Sequence, residues 1–94
     1  MRIRARTDKN QANIVKEARK LGASVAITSQ LGKGFPDIVI GHQGKNYLIE
    51  IKDGESPSSA QRLTPDEAHW HAAWRGSVHI IKDPSELKGL LYGV

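Results

Sequence analysis

Ile14, Val15, Ala18 and Leu21 fall on one face of a helical wheel, and Lys16, Arg19 and Lys20 fall off it. That spacing predicts an amphipathic helix over residues 10–21, with Gly22 as its stop. Ser24-Val25-Ala26-Ile27-Thr28 is rich in β-branched residues and predicts a short strand. A glycine-punctuated loop over residues 30–36 feeds a second strand over 37–40, closed by Gly41. His42-Gln43-Gly44-Lys45 predicts a hairpin turn, and residues 46–52 a third strand. The polar, turn-prone stretch 53–59 is expected to form no regular element. In Thr64-Pro65-Asp66-Glu67, Thr64 suits a helix cap, Pro65 the first helical position and Glu67 the acid of a capping box. The helix is predicted to run to Arg75 and stop at Gly76, followed by a strand over 77–82 and a last helix over 84–91, introduced by Asp83. The order α-β-β-β-α-β-α predicts a mixed α/β domain, a small sheet with helices on its faces.

A chain of 94 residues has room for one domain, and a core is feasible without staples. The absence of cysteine excludes disulfides, thiolate metal sites and cysteine nucleophiles. Hydrophobic residues make up 38% of the chain, with no apolar run long enough to cross a bilayer and no apolar stretch after the basic N-terminus to make a secretory signal. A soluble, cytoplasmic protein is expected. The formal net charge of +4 favours a polyanionic partner, and the basic residues are crowded toward the start of the chain: Arg2, Arg4, Arg6, Lys9, Lys16, Arg19 and Lys20. A solvated basic arm with no partner would read the same way.

The chemistry lies on the predicted hairpin. Period-two alternation puts Glu50 and Lys52 on one face of the third strand and Ile49 and Ile51 on the other, and the hairpin brings Asp37 alongside them. Tyr47-Leu48-Ile49-Glu50-Ile51 reads as a nearly buried strand, and a buried Glu needs a partner or a metal. Two carboxylates suit Mg²⁺, and Mn²⁺ accepts the same oxygen ligands. An ordinary ion-pair cluster on a half-exposed hairpin is the other reading. Lys33, between Gly32 and Gly34 beside Asp37, joins Arg2, Arg4, Arg6 and Lys9 as candidates to track the phosphates of a polyanion.

Pro36-Asp37 followed by Glu50-Ile51-Lys52 resembles the signature of the PD-(D/E)XK nuclease superfamily. The Gly34-Phe35-Pro36-Asp37 strand, the Glu50-x-Lys52 strand and the helix opening Leu63-Thr64-Pro65 with Trp70-His71 are similar, more narrowly, to stand-alone phage-type members of the VRR-NUC family. That resemblance implies a restriction-endonuclease-like core and a metal held by Asp37, Glu50 and the Ile51 carbonyl. It implies Lys52 as the residue that orients or deprotonates water. It also implies a homodimer, at home in a bacterial host, that hydrolyses branched DNA, notably four-way (Holliday) junctions, to 5′-phosphate and 3′-hydroxyl ends. A nickase, a flap or restriction-like nuclease, and a catalytically silent nucleic-acid-binding module are the alternatives.

The sequence departs from the family in two places. Where the family often has a Glu on the first helix, the inward-facing polar candidate here is Gln11, able to hold a metal-bound water without adding charge. Glu67 stands where the family usually has Gln, and its expected role is the capping box. His69 and His71, two residues apart, point to different sides of a helix and make a poor metal site. Trp70 and Trp74, one turn apart, are expected in the core or at an interface.

Overall fold

The computed structural model describes residues 5–93. Helix α1 (Ala5–Lys20) leads into strand β1 (Ser24–Ile27), the hairpin of β2 (Ile38–His42) and β3 (Lys45–Ile51), a one-turn helix α2 (Ser58–Gln61), helix α3 (Pro65–Ala73), strand β4 (His79–Ile81) and helix α4 (Glu86–Tyr92). The sheet order is β1-β2-β3-β4; β1, β2 and β3 are antiparallel neighbours, and β4 joins β3 in parallel. The parallel step follows from the crossover through α2 and α3, because a parallel neighbour cannot be reached by a tight turn.

The predicted order of major elements is observed, with two corrections. Helix α1 begins at Ala5, five residues before the predicted start, in a polar stretch that gives no apolar periodicity to mark it. Within the stretch expected to be loop, Ser58 begins the single turn of α2, which buries nothing and has no side-chain cap. Such a turn carries no hydrophobic pattern for sequence to display.

The core lies on one face of the sheet. Ile38, Ile40, Ile49 and Ile51 point to it from β2 and β3 and meet Ile14, Val15 and Ala18 of α1 and Leu87 and Leu91 of α4. The register Ile38↔Ile49 and Ile40↔Tyr47 puts these side chains in opposed pairs. It is set by the turn at Gln43 (φ 51°) and Gly44 (φ 82°), the two positive values that a two-residue hairpin of matching twist requires. A one-residue slip would turn Glu50 into the core and Ile49 and Ile51 out of it. No helix among the described residues is long and apolar enough to cross a membrane.

Candidate active site

Alternation along β3 sends Glu50 to the face opposite the core, where α3 covers it and leaves it 2% exposed. Asp37 immediately precedes β2. Its own N–H donates to the Ile49 carbonyl at 2.9 Å, and its Oδ2 accepts from the Ile51 N–H at 2.8 Å. The carboxylate is thereby clamped against the strand that carries Glu50. Thr28 holds the preceding residue, its hydroxyl donating to the Pro36 carbonyl at 2.8 Å. Lys52, one residue past β3, is tied at its N–H to Ile81 and at its carbonyl to the side-chain amide of Asn10 (2.9 Å). Asp37, Glu50, Ile51, Lys52, Asp53, Ser56, Thr64 and Glu67 line one pocket of about 180 Å³.

The Lys52 ammonium lies 2.7 Å from Glu67 Oε1 and 4.0 Å from Glu50 Oε2. The capping box is present as predicted: Glu67 accepts from the Thr64 N–H at 2.9 Å while the Thr64 hydroxyl accepts from the Glu67 N–H. The same Glu67 carboxylate also grips Lys52, so the expected bland role is only half of what this residue does. His71 lies one helical turn further on, its Nε2 3.8 Å from Glu50 Oε1. Neither of those two atoms has a hydrogen-bond partner among the described residues. The sequence reading set His71 aside with His69 as a poor metal pair and gave it no place at the site, yet the signal existed: positions 67 and 71 share a helix face, so a Glu67 facing Lys52 brings His71 to the same side. His69, on the other side, is exposed.

The four carboxylates that line this pocket, Asp37, Glu50, Asp53 and Glu67, against the one ammonium of Lys52 leave a formal surplus of three negative charges. Burial, followed by the Asp37 and Glu67 charges, pushes the Glu50 carboxyl up to about 9. Burial also raises Asp37, against the lowering effect of the Ile51 N–H. Glu67 moves the other way: burial pushes it up, but the hydrogen bonds from Lys52 and the Thr64 backbone outweigh burial and hold it below its ordinary range. Like-charged carboxylates brought together in a half-dry pocket favour protonation or a cation. The oxygen donors and the orphaned Glu50 oxygen fit a hard divalent ion such as Mg²⁺ or Mn²⁺. Among the described residues no three His, Cys, Asp or Glu side chains form a metal cage by themselves. Glu67 is committed to Lys52, and of the other lining carboxylates Asp37 and Glu50 are the ones carried side by side on the paired strands, with Asp53 two residues beyond the end of β3.

The other predicted residues fall elsewhere. Gln11 lies on α1 in a groove with Val15, Lys16, Arg19 and Ile27, and it is not among the residues lining the Asp37 pocket; the residue of α1 that reaches the site strand is its neighbour Asn10. Lys9 borders a separate cleft of mixed charge with Lys82, Asp83 and Glu86. Lys33 is exposed, with a left-handed backbone (φ 56°), in the loop that leads to Asp37. Arg2, Arg4 and the Arg6 side chain lie outside the described residues. Trp70 and Trp74 are absent from the core cluster and stack on each other instead, with Trp74 42% exposed. The core has no place for them because α3 covers the opposite face of the sheet.

No family model matches the chain, and no curated protein matches it in sequence. Among solved structures, one described as a VRR_NUC domain superposes with a TM-score of 0.66 at 20% identity, covering 88% of this chain and 90% of the other. At that identity the likeness speaks to architecture: the chain has the fold of a VRR_NUC domain.

Proposed function

We propose that this protein is a divalent-cation-dependent endonuclease that hydrolyses DNA phosphodiester bonds, with branched DNA such as four-way junctions as substrate and a homodimer as the working form. The observation that carries the reading is the convergence of Asp37, Glu50 and Lys52 on one pocket with an orphaned, buried Glu50 oxygen. A binding module would have no use for carboxylates facing phosphate without a cation between them. The VRR_NUC likeness in fold agrees with this reading.

Asp37 and Glu50 would hold the ion, with the Ile51 carbonyl as a third protein donor and water completing the shell. When bound, Mg²⁺ or Mn²⁺ supplies Lewis-acid charge against the scissile phosphate. Lys52 has three N–H donors, of which Glu67 takes one, leaving two to hold the attacking water or a phosphate oxygen. Glu67 fixes the direction of that lysine by accepting its hydrogen bond from a helix end that is itself capped. Phosphate-tracking groups are Arg2, Arg4, Arg6, Lys9 and Lys33. The products are 5′-phosphate and 3′-hydroxyl ends. Exposed Ile27 and Leu31, at and just beyond the β1 edge, supply apolar surface for pairing two copies, and a monomer by light scattering at micromolar concentration would remove that part of the proposal.

The test incubates the protein with a labelled four-way junction and with matched linear duplex, in Mg²⁺ or Mn²⁺, beside Lys52→Ala. Symmetric, cation-dependent cuts in the junction that are absent from the duplex and from the variant are expected. Cleavage of neither DNA, or cleavage undiminished in Lys52→Ala, would overturn it.

A further inference from the structure

Phe35, Trp70 and Trp74 form a continuous aromatic array. Phe35 meets Trp70 edge-on at 5.2 Å, and Trp70 lies nearly parallel to Trp74, 4.7 Å away with 17° between the planes. One end of the array starts two residues before Asp37. The other end is the exposed Trp74 indole, whose Nε1 lies 2.9 Å from where a side chain at Gly76 would begin. The array spends two tryptophans outside the core, on the helix whose first turn supplies Glu67 to Lys52. Seven residues of helix at about 1.5 Å each put Trp74 roughly 10 Å from Glu67, or about three nucleotides along a stacked strand.

The surrounding charge selects the occupant. Arg75 follows Trp74 directly in the chain, and Lys33 stands in the loop that leads to Phe35, where Asp66 also packs against Gly34. An exposed indole with an arginine next to it in the chain, on a molecule of net charge +4, suits a ligand that offers a flat π face and a phosphate backbone together. We propose that Trp74 is a stacking platform for an unpaired nucleobase, one that opens at the branch point of the DNA beside the bond to be cut. The proposal rests on the nuclease reading above.

The experiment measures the affinity of a short labelled oligothymidylate and of a blunt duplex of equal length, in calcium buffer, for the wild-type chain, Trp74→Ala and Trp74→Phe. Tryptophan emission is followed in parallel, and thermal melts confirm that the variants fold. Oligothymidylate should quench wild-type emission. Trp74→Ala should weaken oligothymidylate binding by about tenfold, the contribution of one stacked base, with less than about a twofold change for the duplex. Trp74→Phe, which keeps a ring, should recover most of the loss. Equal losses on both DNAs, no loss on either, or a change of oligomeric state in Trp74→Ala showing the indole to be a contact between copies would each overturn the platform. If the wild type binds both DNAs without regard to position 74, the platform falls and the nuclease reading stands. If the wild type binds neither, both fall.

Discussion

Glu50 sets the fold against the function more sharply than any other residue of the site. At 2% exposure, with one oxygen unpartnered and Asp37 and Glu67 nearby, its ionised form is disfavoured in the folded chain. Its carboxyl is raised from 4.5 to about 9, so between those values the folded protein keeps a proton that the unfolded chain has released. The folded state binds more protons, and stability therefore falls as pH rises through that window. The lowered Glu67 acts elsewhere: its contribution is full above its unfolded value and is lost only as pH falls below it. Glu50→Gln should abolish cleavage and yet raise the melting temperature in EDTA, with little difference near pH 5 and a gain of at least about 4 °C near pH 8.5, the shift that roughly 1 kcal/mol produces in a domain of this size. A gain that is equal at both pH values would show that Glu50 does not titrate in this window. Glu67 admits a cleaner separation of roles. Glu67→Ala removes both the cap and the partner of Lys52, and should cost about 1 kcal/mol of stability and roughly tenfold or more in single-turnover cleavage rate. Glu67→Gln keeps an acceptor for Lys52 and for the Thr64 N–H, and should restore both. Restored stability without restored rate would mean that the charge of Glu67, and not its geometry, serves the reaction.

At the scale of elements, the site depends on α3 seating against the loop that precedes β2, and beside the Phe35–Trp70 contact Gly34 is where the loop comes against the α3 backbone. A Cβ there would fall 2.3 Å from the Asp66 carbonyl oxygen and 3.0 Å from Trp70 Cβ, at a φ of +83°. Gly32 has a similar φ of +74° but open space around it. Gly32→Ala therefore reads the backbone cost alone, about 1 kcal/mol, and Gly34→Ala reads that cost plus the collision with α3. Thermal melts should show the second variant losing clearly more than the first, and only the second should lose cleavage out of proportion to stability, because it pushes Glu67 and His71 away from Lys52 and Glu50. Equal losses would mean that the loop yields to the added methyl. This contact also marks what was legible in advance. Strands β2 and β3, their turn, the capping box and the clustering of Asp37, Glu50 and Lys52 follow from period-two alternation and local turn chemistry, which a sequence displays directly. The second role of Glu67, the approach of His71 to Glu50, the substitution of Asn10 for Gln11 as the contact from α1 and the exposed tryptophan stack depend on how α1 and α3 rotate against the sheet. Local patterns leave that rotation open.

At the scale of the whole molecule, charge is divided between an interior that is locally acidic and an exterior that is basic. The chain carries a net charge of +4, while the pocket is lined by four carboxylates (Asp37, Glu50, Asp53 and Glu67) and one lysine. A polyanion is drawn to the exterior and repelled at the pocket until a cation lies between them. Cation binding and DNA binding should therefore reinforce each other at the pocket, while attraction to the rest of the surface should depend on ordinary salt alone. If Arg2, Arg4, Arg6, Lys9 and Lys33 all meet phosphates, the affinity for blunt duplex should fall with added KCl with a log–log slope of roughly −4 to −5, near −0.9 for each phosphate neutralised. Lys33→Ala should make that slope shallower by about one while leaving the melting temperature in place, since the residue is exposed. A slope near −1 for the wild type would instead confine the contact to the neighbourhood of the pocket, and the N-terminal basic residues would then be a solvated face with no part in holding DNA.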